Sequence, residues 1–216
     1  MAASLTARAA LLDMDGTLVD STAVVERLWW EWAQPHGLDR DTVLKTVHGR
    51  QGWQSMSILL PERDHAINLE ENQEMLARES VETSGVVEIP GAAALLRALE
   101  SLPHAIVTSA DVALMTARMG AAQLPIPALA ITAERVSRSK PDPEGFLLAA
   151  TTLGVDAADC VVFEDSGAGI RAGLDAGMTV IGVGPHAPEF GPAHHVDDLS
   201  QIEIAPSADG FEVRIS

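Results

Sequence analysis

Cysteine is nearly missing from this chain, Cys160 being the only one, and tyrosine is missing altogether. One thiol excludes an internal disulfide framework and any multi-cysteine zinc site, and it suits a reducing compartment. Positive charge is also scarce: 14 Lys and Arg stand against 31 Asp and Glu, a formal charge of −17. Such a field repels phosphate backbones and anionic lipid, so neither nucleic acid nor a membrane surface is an expected partner. No apolar run approaches the ~18 residues of a membrane span. Residues 1–10 lack the apolar stretch of about 7 to 15 residues that a secretory leader needs. The expected location is cytoplasmic.

What is present suits a compact globule. At 216 residues, with 47% hydrophobic and 21% charged residues, the chain can fill one domain, or a domain carrying a smaller insert. Short apolar runs recur at Ala9–Leu12, Ala105–Val107, Leu129–Ile131, Cys160–Phe163 and Thr179–Val183. Their apolarity is continuous rather than alternating, which predicts strands buried on both faces of a parallel sheet. Helical patterns lie between them at Ala92–Leu102, Pro143–Leu153 and Ala168–Ala176, the last two stopped by Gly154 and Gly177. The expected fold is α/β, a doubly wound, mostly parallel sheet of Rossmann-like type.

About ninety residues separate the first strand from the next clear one at Ala105, far more than a simple crossover of roughly a dozen needs. That interval reads as helices. Val24, Val25, Leu28, Trp29 and Trp32 keep helical spacing, Asp39 can cap a second segment, and Trp53–Leu60 and Asp64–Ser84 follow. The expectation is a small helical cap at 18–85, inserted into a core of 1–17 and 86–216. All four tryptophans fall in the insert, and their periodicity marks them as packing residues. His194-His195 lacks matching metal ligands and is read as loop.

The chemistry concentrates at the carboxyl ends of the predicted strands, where open α/β sheets collect ligands. Asp13-Met14-Asp15-Gly16-Thr17 follows the first strand; residues i and i+2 share a face, so both carboxylates can enter one crevice. One acid can attack as a nucleophile while its neighbour protonates the departing oxygen. Two carboxylates facing a phosphate require a cation, and Glu164-Asp165 supplies further hard oxygen ligands, which predicts Mg²⁺. Thr108-Ser109 ends another strand. Lys140 is one of only two lysines among twelve arginines, which suggests a compact point charge is wanted there. His48-Gly49-Arg50, between two cap helices, can reach down onto a substrate.

These stretches resemble the four motifs of the haloacid dehalogenase superfamily of phosphatases, along essentially the whole chain. The similarity rests on Asp13–Ser21, Trp30–Ala33 through His48–Arg50, Ile89–Ala92, Ala105–Ser109 and Phe163–Ile170. It implies a Mg²⁺-dependent phosphomonoesterase of small phosphorylated sugars or polyols, working as a monomer or weak homodimer. Asp13 would be the nucleophile that becomes an aspartyl-phosphate, Asp15 the general acid and base, and Ser109 and Lys140 catalytic phosphate binders. Asp13, Asp15, Glu164 and Asp165 would surround the metal. Thr17, Thr108 and Ala110 would line the phosphate, with His48, Gly49 and Arg50 reading the sugar. Ala110 and Ser139 stand where many relatives carry glycine. Glycerol-3-phosphatase, a β-phosphoglucomutase-like mutase and a non-catalytic phosphometabolite-binding regulator are the alternatives.

Overall fold

The computed structural model describes residues 3–216; residues 1 and 2, assigned above to the start of the core, lie outside them. In chain order, β1 (Ala3–Ala7) and β2 (Ala9–Leu12) precede a short strand, β3 (Val19–Asp20). Four helices follow: α1 (Thr22–Ala33), α2 (Arg40–Thr46), α3 (Gly52–Leu59) and α4 (His65–Val81). β4 (Val87–Glu88) then pairs antiparallel with β3, Val19 opposite Glu88, so one two-stranded ribbon brackets the four helices. Helices and strands alternate beyond it: α5 (Ala92–Leu99), β5 (His104–Val107), α6 (Val112–Ala121), β6 (Ala130–Ile131), α7 (Glu144–Leu153), β7 (Cys160–Glu164), α8 (Gly167–Asp175) and β8 (Thr179–Val183). β9 (His194–Val196), β10 (Ile202–Ser207) and β11 (Gly210–Ile215) close the chain.

Six strands form one parallel sheet in the order β6-β5-β2-β7-β8-β9. Its layers follow from strand periodicity. In β2, Ala10 and Leu12 enter one buried cluster with Leu95, Leu96, Leu114 and Met119 of α5 and α6. Ala9 and Leu11 enter the other, with Phe146 and Ala149 of α7 and Ile170 of α8. Alternate residues thus serve opposite faces, which is why the strands read as continuous apolar runs. Each fully buried Leu or Phe contributes about 1.5 to 3 kcal/mol by leaving water. β2 sits between β5 and β7, at the point where the strand order reverses, and its carboxyl end opens into a crevice.

Two features depart from the expectations. His194 and His195 lie not in a loop but in β9, an edge strand paired with β8 through Ile181 and His194. Three residues are too few to show a period. The second departure is a three-stranded antiparallel sheet, β1-β11-β10, with Leu5 opposite Val213. Its signal stood in the sequence: Phe211-Glu212-Val213-Arg214-Ile215 alternates strictly, and its apolar members are buried in the same cluster as α5. Replacing Phe211 with Ala should therefore lower unfolding stability by about 3 to 5 kcal/mol in a denaturant titration. An unshifted midpoint would show that the terminal sheet contributes nothing to the core.

Candidate active site

Asp13 follows β2 directly, and its main-chain N–H donates to the Phe163 carbonyl at 3.0 Å, which brings the ends of β2 and β7 together. Met14 is fully buried, while Asp13 and Asp15 both line the cleft, as their i, i+2 spacing requires. Gly16 adopts φ +83°, and a Cβ there would lie 2.0 Å from Asp165 Oδ2. Only glycine permits that turn against the neighbouring acid.

A connected set of buried charges lies behind the cleft. Lys140 Nζ donates to Asp13 Oδ1 at 2.5 Å and to Glu164 Oε1 at 2.8 Å. Glu164 is fully buried; its Oε2 accepts from the Ser166 N–H at 2.6 Å and from Ser166 Oγ at 2.9 Å. Ser166 Oγ in turn accepts from the Gly169 N–H, capping α8. A Cβ on Gly169 would sit 1.7 Å from Glu164 Oε1, so the helix can approach the carboxylate only as glycine. The small residues after Glu164-Asp165 thus serve to seat Glu164, which orients Lys140. Both Glu164 oxygens are engaged in this way, and it does not line the cleft.

Three carboxylates cluster near one ammonium, which bonds two of them, Asp13 and Glu164. Burial pushes Asp13 up to about 7 against the pull of Lys140, and it raises Asp165 well above the usual carboxylate range, with Glu164 and Asp13 adding to the shift. Burial also works against the charge on Lys140, yet Asp13 and Glu164 together hold it above the ordinary lysine range. Lys140 keeps its proton, and the shortfall of positive charge falls on the acids. Asp13, Glu164 and Asp165 each bring an oxygen within 4.8 Å of the others. This under-neutralised set of hard donors fits a divalent cation.

The other expected site residues fall into two groups. His48, Gly49, Arg50, Thr108, Ser109 and Ala110 line the same cleft as Asp13, Asp15 and Asp165. Ser109 Oγ donates to the Gly49 carbonyl at 3.3 Å, Arg50 Nε is buried without a partner, and burial lowers the His48 pKa. Thr17, expected at the phosphate, instead is fully buried, does not line the cleft and donates to Asp165 Oδ1 at 3.5 Å. It follows a turn that sends Gly16, not Thr17, over the acid. Of the four tryptophans, Trp29 is buried but also lines the cleft, so it packs and borders the site at once.

Among the cleft residues that the sequence did not single out are Ser21, Asn72, Glu79 and Arg118. Ser21 Oγ donates to Asp15 Oδ1 at 2.7 Å, and Arg118 Nη1 pairs with Asp15 Oδ2 at 2.5 Å. The other arm of Arg118 reaches Glu79 Oε2 at 2.8 Å. Burial pushes Glu79 up to about 7, against Arg118. A signal existed for both. Arg118 stands on the apolar face of α6 with Leu114 and Met115, and Glu79 one turn from Met75 on α4; a charge inside an apolar stripe needs a partner.

The raised carboxyls give a signed prediction. Between the unfolded carboxyl range near pH ~4 and about 7, the folded protein binds more protons than the unfolded one. Their contribution to stability is therefore present at low pH and lost as pH rises through about 7. A divalent cation must displace those protons, so its stabilisation grows over the same interval. The rise in Tm on adding Mg²⁺ should be larger at about pH 8 than at about pH 5.5. Equal rises at both, or none, would contradict a cation site built on Asp13 and Asp165.

Comparison with known proteins agrees with this geometry. The sequence profile of the haloacid dehalogenase-like hydrolases matches residues 7–177. Hexitol phosphatase A of Escherichia coli (strain K12) is 42% identical over 207 residues, covering 93% of this chain and 95% of its own. The 6-phosphogluconate phosphatase of the same organism is 32% identical over 180 residues, covering 80% of each. β-Phosphoglucomutase of Clostridium difficile shares the fold, with a TM-score of 0.75 at 23% identity over 92% of this chain and 94% of that one. Strand order, carboxylate cluster and profile converge: the chain belongs to the haloacid dehalogenase-like hydrolases.

Proposed function

We propose that this enzyme is a Mg²⁺-dependent phosphomonoesterase that hydrolyses small phosphorylated sugars or polyols through an aspartyl-phosphate on Asp13. The observation that carries the reading is the Lys140–Asp13 contact beside Asp165, with Asp15 in the same cleft. Similarity to a hexitol phosphatase and a 6-phosphogluconate phosphatase over most of their lengths supports the substrate class. A cytoplasmic setting accords with the single, buried Cys160.

Lys140 fixes Asp13 Oδ1, which leaves Asp13 Oδ2 to attack phosphorus as the bond to the leaving oxygen breaks. Asp15, oriented by Ser21 and Arg118, delivers a proton to that oxygen. It then takes a proton from the water that attacks phosphorus, releasing inorganic phosphate and restoring the Asp13 carboxylate. Ser109 and Lys140 bind the non-bridging oxygens. A Mg²⁺ held by Asp13, Asp165 and the Asp15 carbonyl would neutralise the incoming dianion. Residues 18–85 act as a cap over this site, with 1–17 and 86–216 as the core. Contacts across that division support closure: Ser109 to the Gly49 carbonyl, and Ser139 Oγ to Gln54 Oε1 at 2.9 Å. The serine that replaces a common glycine thus meets the cap, and water is excluded when the cap is down.

Changing Asp15 to Asn should lower kcat by about 10² to 10⁴, read as inorganic phosphate released from a hexitol or hexose phosphate. Near-normal turnover would remove Asp15 from the acid–base role. A phosphosugar isomer formed by the wild-type enzyme with little free phosphate would point to a mutase.

A further inference from the structure

The far wall of the cleft is one face of α4. Asn72, Met75, Leu76 and Glu79 all line it, and steps of three, four and seven residues place them on a single stripe. The two apolar members can pack against carbon. The polar ones flank them, two turns apart. Asn72 Oδ1 is buried without a hydrogen-bond partner among the described residues. Across from it, a Cβ on Gly52 would lie 2.3 Å from that oxygen, so only glycine at the start of α3 leaves room for the amide itself. Glu79 is fixed on one side by Arg118, whose second arm is committed to Asp15. The wall is therefore tied to the acid–base carboxyl.

We propose that Asn72 and Glu79 read the distal hydroxyls of the substrate and select an uncharged polyol chain over a phosphorylated sugar acid. The inference rests on the phosphomonoesterase reading and names the substrate class of that same site. An amide offers both donors and acceptors to a hydroxyl, and a carboxyl can accept from one or donate to one. A substrate carboxylate finds no cation on this wall, since Arg118 is paired on both arms with Asp15 and Glu79. Arg50 lines the cleft from the loop before α3 rather than from α4. Buried polar groups left unpaired reject analogues that lack their partner far more strongly than apolar pockets do.

The test compares kcat/KM for a hexitol 6-phosphate, the corresponding aldonic acid 6-phosphate and phenyl phosphate, which has no distal hydroxyl. The wild-type enzyme should favour the hexitol phosphate over the acid by at least about tenfold. Asn72→Ala should lower kcat/KM for the hexitol phosphate about tenfold more than for phenyl phosphate, through KM. Glu79→Gln should narrow the preference against the acid. Should Glu79→Gln fail to fold because Arg118 loses its partner, Asn72→Ala still decides. Equal losses on hexitol phosphate and phenyl phosphate, with phosphate release intact, would overturn this inference alone. Absence of phosphate release from all three by the wild-type enzyme would overturn the phosphomonoesterase reading and this inference with it.

Discussion

Lys140 holds the site together because one buried ammonium is shared between Asp13 and Glu164. Removing one partner of a buried pair typically costs about 3 to 5 kcal/mol, since the other charge is left uncompensated. Several features of the fold exist to satisfy that requirement. β2 and β7 run side by side so that Asp13 and Glu164 leave the sheet together. Ser166 occupies the second oxygen of Glu164, and Gly169 lets α8 approach it without a side chain in the way. Even so, one cation cannot neutralise three acids. The residual charge at Asp13 and Asp165 fits a metal ion, which in the proposed reaction would meet a phosphate in a protein whose formal charge is −17. The general field repels anions, and the cluster, itself under-neutralised, would overrule it only with a bound cation, over a few ångströms inside a Debye length of about 8 Å.

Much of this was legible in the chain because the core motifs are local. Asp13 and Asp15, Thr108-Ser109 and Glu164-Asp165 each follow an apolar strand, and strand ends can be found without knowing the fold. Lys140 was legible through its rarity. The place of Thr17 was not legible, since the residue that passes over Asp165 is decided by the turn at Gly16, a backbone property that motif spacing does not report. The Asp15–Arg118–Glu79 chain was not read because its members come from the turn after β2, α6 and α4 and meet only once those elements pack. The terminal sheet shows the reverse case. The alternation of Phe211, Val213 and Ile215 was plain, but its antiparallel pairing with β1 joins opposite ends of the chain.

The cleft thus has two sides with different logic. The sheet side is built from buried charges held in fixed register and, in the proposed reaction, serves the phosphoryl group. The α4 side is built from an apolar stripe interrupted by an amide and a carboxyl, and in the proposal it meets whatever the phosphoryl group is attached to. Arg118 joins them, so the position of the acid–base carboxyl and the position of the recognition wall are set by one guanidinium.

The central claim is that Asp13 takes the phosphoryl group onto its own carboxyl. Acid quenching during turnover, borohydride reduction and peptide mass analysis test it directly, because an acyl phosphate is reduced where a free carboxylate is not. The account predicts homoserine at position 13 and unmodified aspartate at position 15. Rapid phosphate release with aspartate intact at position 13, under conditions that reduce a control acyl phosphate, would contradict it.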